Sequence, residues 1–538
     1  MKPMSSNDSS DDPAVLKARL LEVELMLAGL RNEHAKTLHS KDQRIQLLEE
    51  MIRLLRYHRF GAHSEKAGEK ALGQGELFNE AEAADTDAAD LLSDDDVVAE
   101  PVPAPPGETT AVTPPRKRGR KPLPAELPRV RIEHDLPESD KTCPCGCALS
   151  AIGEDCSEQL DIIPAQVRVL VHVRKKYACR SCENGVSTAK LPAQPLPKSN
   201  ASAGLLAHIV VAKYLDALPL HRQESIFNRI GVDLPRNTLA GWMIKSGQLV
   251  QPLLERFDEQ LLSGPLIQCD ETPVQVLKEP GKTPQSKSFM WVQRGGPPGR
   301  RILRFHYHAS RKGDVAQSLM SDFQGYLQTD DYAGYHAVGA KTGVTHLGCW
   351  AHARRKFIEV QKAARKKRQA AKANEALQFI GQLYGIEHEA KAMTVEQRYQ
   401  HRQQKSLPVL QQLRDWLNTN RNQVLPKGLT GKAIAYLERN WDKLTVYTED
   451  GCLPIDNNAC ENAIRPFVIG RKNWLFSATP KGADASAALY SLIETAKANG
   501  LEPWAYLQQV FSRLPAAETA ADVDALLPWN VKGCAKRG

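Results

Sequence analysis

The chain has 538 residues, of which 42% are hydrophobic and 25% are charged, and its formal net charge is +8 at pH 7. This length exceeds what one hydrophobic core organises, so we expect several domains. No apolar run approaches the roughly 20 residues that cross a bilayer, and no charged-then-apolar leader opens the sequence. We therefore expect a soluble cytoplasmic protein and exclude a membrane protein.

The charge is distributed unevenly. Residues 76–100 contain ten acidic side chains and no lysine or arginine, so the rest of the chain carries a formal charge of +18. Such an excess favours a polyanionic partner, because binding releases the counterions of the polyanion. DNA is the expected partner, and association with the nucleoid would follow. Charge alone identifies the partner and not the chemistry.

Residues 14–60 are predicted to form one long helix. Apolar residues recur at intervals of three and four from Leu16 to Leu30, and the pattern resumes one residue out of phase from Ile45 to Leu55. This stripe is typical of a coiled coil, so we expect a homo-oligomer. A helix that packs against its own protein is the alternative.

Residues 61–128 are predicted to be a disordered linker, since they are poor in aromatic residues, acidic and then proline-rich. The linker ends in the cationic run 115–122, in which Arg118 and Arg120 resemble arms that enter a narrow minor groove of DNA. A run of charge that only keeps the chain soluble is the alternative.

Five cysteines in two tight clusters between residues 129 and 192 predict a zinc-ribbon-like domain. Cys179 and Cys182 have the common CxxC spacing, whereas the first cluster is Cys143, Cys145 and Cys147. Two pairs about thirty residues apart can place four thiolates around Zn²⁺. We expect structural zinc bound by Cys143, Cys145, Cys179 and Cys182, with Cys147 as the alternative to Cys145. The alternating segment from Val167 to Lys176 is expected to form strands of the ribbon.

Residues 200–258 show helical periodicity and predict a helix-turn-helix region. Gly231 breaks the chain before a helix that starts near Pro235, and Asn237 or Thr238 could cap the first turn of this helix. The helix would enter the major groove of DNA through four side chains, namely Arg236, Asn237, Thr238 and Lys245. Helices that pack together without touching DNA are the alternative.

Residues 264–500 predict a ribonuclease-H-like α/β domain. Three strand-like segments are followed by a helix, a fourth strand that ends at Asp330 and a fifth strand near residue 344. In that fold the first and fourth strands lie side by side, so Asp270 and Asp330 would meet. A helical insertion is expected at about 358–453, and residues 501–538 are expected to form a C-terminal helical segment.

Asp270 and Asp330 end apolar strand-like runs, where an unpaired charge is costly. Divalent metal ions would compensate that charge, and we assign Asp270, Asp330 and Glu461 to a two-metal site that holds Mg²⁺ or Mn²⁺ for phosphodiester chemistry. Strand alternation points Glu271 away from Asp270, whereas Asp331 competes with Asp330. For Glu461, a surface pair with Arg465 is the alternative.

The motifs in their order resemble those of a transposase of the insertion-sequence 66 family, from about residue 15 to 530. They are Arg118-Gly-Arg-Lys-Pro122, Glu158-Gln-Leu-Asp161, Gln268-Cys-Asp-Glu-Thr272, Tyr332-Ala-Gly-Tyr335, Gly348-Cys-Trp-Ala-His352, Asp456-Asn-Asn-Ala-Cys-Glu461 and Gly470-Arg-Lys-Asn-Trp474. The resemblance implies a DDE transposase with the triad Asp270, Asp330 and Glu461. It also implies small accessory proteins encoded by the element.

Further basic residues flank the triad in sequence. The expected contacts to DNA at the element ends and at the target are Arg354, Arg355, Lys356, Arg465, Arg471 and Lys472. Two other functions remain open from the sequence. One is a related nuclease or resolvase that does not join strands, and the other is a DNA-binding regulator that is not an enzyme.

Overall fold

The computed structural model describes residues 13–60, 167–178, 186–364 and 370–531. The chain divides into two compact units, residues 1–96 together with 192–538, and residues 97–191. Each unit is considered by itself. None of the helices in the described ranges is both long enough and apolar enough to cross a bilayer.

In the smaller unit, β1 (Lys176–Ala178) and β2 (Val186–Thr188) form an antiparallel pair, with Tyr177 opposite Ser187. The strand predicted from Val167 is shorter than expected and begins only at Lys176, because the residues before it are exposed and pair with no strand in the described part of the unit. The five cysteines of the predicted zinc site, Cys143, Cys145, Cys147, Cys179 and Cys182, lie outside the described residues.

The larger unit begins with α1 (Pro13–Phe60), a single helix of 48 residues. Its apolar residues are exposed over most of the helix, for example Leu20 at 63% and Leu55 at 63%. Its last turns contact the helical region that follows the sheet, where the ammonium group of Lys362 lies 4.9 Å from the ring centre of Tyr57. The helix therefore packs on its own protein at one end and leaves an apolar stripe along the remainder.

Four helices precede the sheet: α2 (Ala203–Tyr214), α3 (Leu220–Arg229), α4 (Arg236–Leu249) and α5 (Gln251–Leu262). Gly231 has φ +78° between α3 and α4, a conformation that glycine adopts without strain. Asn237 and Thr238 do not cap α4 as expected, because the helix already begins at Arg236 and its N-cap residue is Pro235. The buried faces of these helices belong to the main hydrophobic core.

The five-stranded sheet has the order β5-β4-β3-β6-β7. Its strands are β3 (Leu266–Gln275), β4 (Lys287–Gly295), β5 (Ile302–His308), β6 (Gly325–Gln328) and β7 (Val344–Leu347), with the helices α6 (Gly313–Leu319) and α7 (His336–Gly339) between β5 and β7. The first three strands are antiparallel, while β6 and β7 run parallel to β3. The first and fourth strands are thus neighbours, as the sequence predicts.

A helical region separates β7 from the last motif. It contains α8 (Trp350–Ala363), α9 (Ala371–Glu389), α10 (Val395–His401), a π-helical turn (Arg402–Ser406), α11 (Leu407–Asn420), α12 (Leu429–Arg439) and α13 (Trp441–Thr445). These helices share a second hydrophobic core. The buried Arg402 donates to the carbonyl oxygens of Tyr447, Asp450 and Leu453, at 2.6, 2.7 and 2.8 Å, and pairs with Glu387. This arginine fixes the chain that leads out of the helical region.

Four helices complete the unit: α14 (Asn458–Trp474), α15 (Pro480–Ala498), α16 (Pro503–Arg513) and α17 (Ala520–Asp524). The buried α15 lies along the edge strand β5, where Ser491 and Thr495 accept hydrogen bonds from the backbone of Phe305 and Leu303, at 2.8 and 3.0 Å. These side chains satisfy edge N–H groups that would otherwise be buried without a partner. The sheet is therefore covered at this edge.

Candidate active site

Asp270 and Asp330 lie beside each other because their strands are parallel neighbours. Gln268 is paired with Gln328 across β3 and β6, and each aspartate stands two residues further along. Asp330 was expected to be the last residue of its strand. The strand β6 instead ends at Gln328, and Asp330 follows two residues later. The two carboxylates therefore come from the same end of the sheet, where the helical region begins.

Glu461 reaches the same place in the first turn of α14. Asn457, the N-cap residue of this helix, donates through Nδ2 to the carbonyl oxygen of Cys269 at 2.9 Å. The thiol of Cys460 contacts the carbonyl oxygen of Gln268 at 3.6 Å. These bonds attach the start of α14 to the strand that carries Asp270. Glu461 is only 2% exposed, so it is a buried residue and does not lie on the surface.

Two glutamines hold the chain just before α14. Gln268 and Gln328 are fully buried, and the side-chain amide of Gln268 donates to that of Gln328 at 2.7 Å. Gln268 also donates to the carbonyl oxygen of Asp456 at 3.2 Å, and Gln328 to that of Pro454 at 3.0 Å. Buried amides that are fully engaged in this way fix one arrangement of the backbone. The approach to Glu461 is thus held by the same two strands that carry the aspartates.

Three neighbouring acidic side chains influence the pKa of Asp270. Burial raises the pKa of Asp270 well above its ordinary value, and the negative charges of Glu271, Glu461 and Asp330 raise it further. The hydrogen bond from the backbone N–H of Glu271, at 2.8 Å, opposes this rise only in part. Oxygen ligands that repel one another in a buried place fit a hard divalent cation such as Mg²⁺ or Mn²⁺. Asp270, Asp330 and Glu461 could hold such ions.

Glu271 points to the other side of β3, as strand alternation predicts. Its carboxylate accepts from Nε of Arg311 at 2.6 Å and from the hydroxyl of Tyr335. Burial raises the pKa of Glu271, and these two donors oppose the rise. Arg311 in turn stacks 3.8 Å from the ring centre of Tyr332. Glu271 therefore forms its hydrogen bonds with Arg311 and Tyr335, although its charge still acts on Asp270.

Asp331, the competitor of Asp330, is engaged with the helical region. It has φ +70°, and its carboxylate contacts Lys443 at 2.9 Å, Arg439 at 3.0 Å and Asn440 at 2.9 Å. Burial favours the neutral form, but these donors prevail and lower the pKa of Asp331 to about 2. The structure thus gives the two adjacent aspartates different surroundings. Asp330 faces the other acids, and Asp331 anchors α12 and α13.

Three residues near Glu461 come from the start of α8. Nδ1 of His352 lies 3.6 Å from Oε1 of Glu461, and Nη2 of Arg355 lies 3.5 Å from Oε2. Cys349 lies in the same cluster. Sequence reasoning assigned Arg355 to DNA and overlooked Cys349 and His352 as site residues. Their spacing of three, which places both on one helical face, was the signal available.

The predicted DNA contacts differ in exposure. Arg236, Asn237, Thr238 and Lys245 are all exposed on α4, whereas Arg354, Arg355, Lys356, Arg465, Arg471 and Lys472 are half-buried on α8 and α14. Arg471 donates to the hydroxyl of Thr272 at 3.0 Å and to the carbonyl oxygen of Pro273, so it braces β3 in this structure. Arg118 and Arg120 lie outside the described residues.

Sequence models of known families match most of the chain. The model described as "Transposase IS66 family" matches residues 198–485, and that of the "IS66 C-terminal element" matches residues 491–529. The model "zinc-finger binding domain of transposase IS66" matches residues 140–183, and "Transposase C of IS166 homeodomain" matches residues 47–132. The second pair covers the predicted zinc site and the region between α1 and that site.

Three relatives from Sinorhizobium fredii (strain NBRC 101917 / NGR234) are similar over most of their length. The uncharacterized protein y4jD is 35% identical over 76% of this chain and 81% of its own. The uncharacterized protein y4qI is 31% identical over 98% of this chain and 98% of its own. The uncharacterized protein y4hP is 31% identical over 91% of this chain and 89% of its own. With family models matching in order from residue 47 to residue 529, the chain belongs to the IS66 family of transposases.

Proposed function

We propose that this protein is a DDE transposase that binds the ends of an insertion sequence and catalyses metal-dependent DNA cleavage and strand transfer. The observation that carries the proposal is the convergence of three acids from distant parts of the chain. The pKa of Asp270 is raised by desolvation and by the negative charges of Glu271, Glu461 and Asp330. Such an arrangement is stable at neutral pH when cations neutralise it.

The strand order supports a ribonuclease-H-like catalytic domain. Three antiparallel strands are followed by two parallel ones on the far side of β3, and Glu461 arrives on a helix after the last strand. The helical region of α8–α13 then takes the place of an insertion between the second and third acids. Its contacts with Asp331 and with the chain before α14 support a role in shaping the site.

Two Mg²⁺ or Mn²⁺ ions, when bound by Asp270, Asp330 and Glu461, supply charge that activates the attacking oxygen and stabilises the leaving one. The protein holds the three carboxylates in place through β3, β6 and the first turn of α14. In the proposed reaction, water attacks a phosphodiester at each element end and releases a 3′-hydroxyl. That hydroxyl then attacks target DNA, and no covalent protein intermediate forms.

The proposed DNA contacts come from several parts of the chain. The exposed first turn of α4 offers Arg236, Asn237 and Thr238 to the major groove, while Lys245 reaches phosphate further along the helix. Arg354, Lys356, Arg465 and Lys472, which are half-buried on α8 and α14, are the further proposed contacts to DNA. Arg118 and Arg120 would enter the minor groove, and zinc held by the cysteines would fold the ribbon.

Self-association through α1 is part of the proposal. Its apolar residues are exposed along most of a helix of 48 residues, and a second copy would cover them. Cutting and joining two ends in one complex requires at least two active sites, which a homo-oligomer provides. Accessory proteins of the element are proposed on family resemblance alone.

The test is a strand-joining assay with purified full-length protein, an end-carrying duplex and Mg²⁺. We expect Asp270→Asn, Asp330→Asn and Glu461→Gln each to abolish cleavage and joining while end binding persists. Asp322→Asn, at an exposed position, is the matched control. Joining by Asp270→Asn would refute the triad. Cleavage without joining would favour a nuclease or resolvase, and end binding without either reaction would favour a regulator.

A further inference from the structure

The first turns of α8 and α14 form a buried cluster beside the proposed active site. The sulfur of Cys349, a ring nitrogen of His352 and a carboxylate oxygen of Glu461 all lie within 4.8 Å of one another. Their relative exposures are 0%, 9% and 2%, respectively. Among the residues that the structure describes, these three side chains form the group that lies close enough together to hold one metal ion. Cys349 and His352 play no part in the proposed two-metal chemistry.

The spacing of these atoms matches a tetrahedral ion. With metal–ligand bonds of about 2.0–2.3 Å, two ligands of a tetrahedral site lie roughly 3.3–3.8 Å apart. Nδ1 of His352 and Oε1 of Glu461 are separated by 3.6 Å. Cys349 is the N-cap residue of α8, and its sulfur accepts the backbone N–H of Asn457 at 3.2 Å. This bond ties the sulfur to the N-cap of the helix that carries Glu461, so small side-chain shifts would bring all three ligands to one ion.

The ligand types select the ion. Mg²⁺ prefers oxygen ligands and octahedral geometry, whereas a thiolate, an imidazole and a carboxylate suit Zn²⁺. We propose that Cys349, His352 and Glu461 bind a Zn²⁺-class divalent ion. Three protein ligands leave a fourth position for water. Arg355, 3.5 Å from Glu461, adds opposing positive charge, so a site with these three ligands should bind the ion more weakly than a four-thiolate structural site.

The consequence is competition for one carboxylate, and it rests on the proposed function. Zn²⁺ at the cluster engages Glu461, which then no longer completes the Mg²⁺ site. Zinc therefore inhibits DNA joining, and additional Mg²⁺ relieves the inhibition because the two ions compete for Glu461. Free zinc would thus lower the rate of DNA joining.

Cobalt is the probe for the site itself. Full-length protein is loaded with Zn²⁺, passed over a weak chelator that empties a three-ligand site but leaves a four-thiolate site filled, and titrated with Co²⁺, whose thiolate charge-transfer and tetrahedral visible bands report the ligands. We expect these bands in the wild-type protein and in Cys452→Ser, a control at an exposed free cysteine. Cys349→Ser should lack these bands, and His352→Asn should show them only weakly. In a parallel sample that is loaded with Zn²⁺ and desalted without the chelator, the zinc content measured by mass spectrometry should fall by one equivalent in Cys349→Ser relative to Cys452→Ser.

Equal cobalt bands and equal zinc content in Cys349→Ser and Cys452→Ser would overturn the inference. Should Cys349→Ser fail to fold by circular dichroism, His352→Asn makes the same comparison. Neither readout requires an active enzyme. Cobalt bands in a protein that joins no DNA would therefore refute the proposed function alone, whereas Mg²⁺-dependent joining without the bands would refute the zinc site alone.

Discussion

Tyr384, in the middle of α9, donates a hydrogen bond of 2.8 Å from its hydroxyl to Oδ2 of Asp456. The other oxygen of Asp456 accepts the backbone N–H of Asn458 at 3.1 Å, in the first turn of α14. The helical region is thereby joined to the helix that carries Glu461 through one half-buried carboxylate. Burial raises the pKa of this carboxylate, and the hydroxyl of Tyr384 and the backbone N–H of Asn458 counteract that rise.

Tyr384→Phe tests this connection. Removing the hydroxyl deprives a buried carboxylate oxygen of a donor, so the free energy of unfolding should fall by about 1–3 kcal/mol. Because α14 loses part of its anchor, the rate of DNA joining should fall more than binding of the element end. Chemical denaturation and the joining assay measure the two effects. Tyr399→Phe, elsewhere in the helical region, is the control, and equal behaviour of the two variants would show that the bond has no such role.

Asp330→Asn and Asp331→Asn should separate chemistry from stability. Asp331 accepts from Lys443, Arg439 and Asn440, so its amide variant should lower the free energy of unfolding by about 1–3 kcal/mol at pH 7. Asp330→Asn should leave stability nearly unchanged in the absence of metal but abolish joining. Thermal melts and the joining assay give both readouts. The opposite pattern, an inactive Asp331→Asn and an active Asp330→Asn, would exchange their proposed roles.

Stability without metal should depend on pH through Asp270. Its pKa is raised in the folded protein, so the folded state holds the proton more tightly than the unfolded chain. Above the unfolded pKa of about 3.9, this contribution to stability is therefore lost as pH rises through the folded pKa. Melting temperatures in EDTA should fall less steeply with pH for Asp270→Asn than for the wild type. Added Mg²⁺ should stabilise the wild type most at high pH, and parallel curves for both proteins would contradict the charge convergence.

The exposed side chains of α4 predict two kinds of DNA contact. If Arg236 reads a base, Arg236→Ala should weaken binding to the element end by about 1–3 kcal/mol and relax sequence preference. If Lys245 contacts phosphate, Lys245→Ala should weaken binding to all sequences and lower the salt dependence by about one counterion. Titrations at several salt concentrations distinguish the two. Arg513→Ala, at an exposed position on α16, is the control.

The sequence predicted those parts of the site that follow from local periodicity. Alternation along one strand separates Asp270 from Glu271, and the succession of strands and helices places β3 beside β6. A helical insertion was also expected from the sequence, at about 358–453. These features depend on residues close together in the chain and on the few connections that a sheet allows.

Other parts of the site could not be predicted, because they depend on residues far apart in sequence. The distinct surroundings of Asp331 come from Lys443, 112 positions later. The contact of His352 with Glu461 joins two helices whose approach angle no local pattern specifies. Arg471 was expected to bind phosphate, and in this structure it donates to the hydroxyl of Thr272 and the carbonyl oxygen of Pro273. The periodicity of a sequence does not show which distant residues a long side chain will reach. The late start of β1 at Lys176 likewise reflects strand pairing and not propensity.

The buried Arg402 bears on how this chain could be shortened. One guanidinium group binds three carbonyl oxygens between Tyr447 and Leu453, just upstream of the helix that presents Glu461. A minimal version that replaced residues 364–445 with a short loop would remove this clamp and release the third acid from its neighbours. The helical region between Asp330 and Glu461 therefore supports the third acid. A shortened variant of this protein should keep it and be trimmed elsewhere.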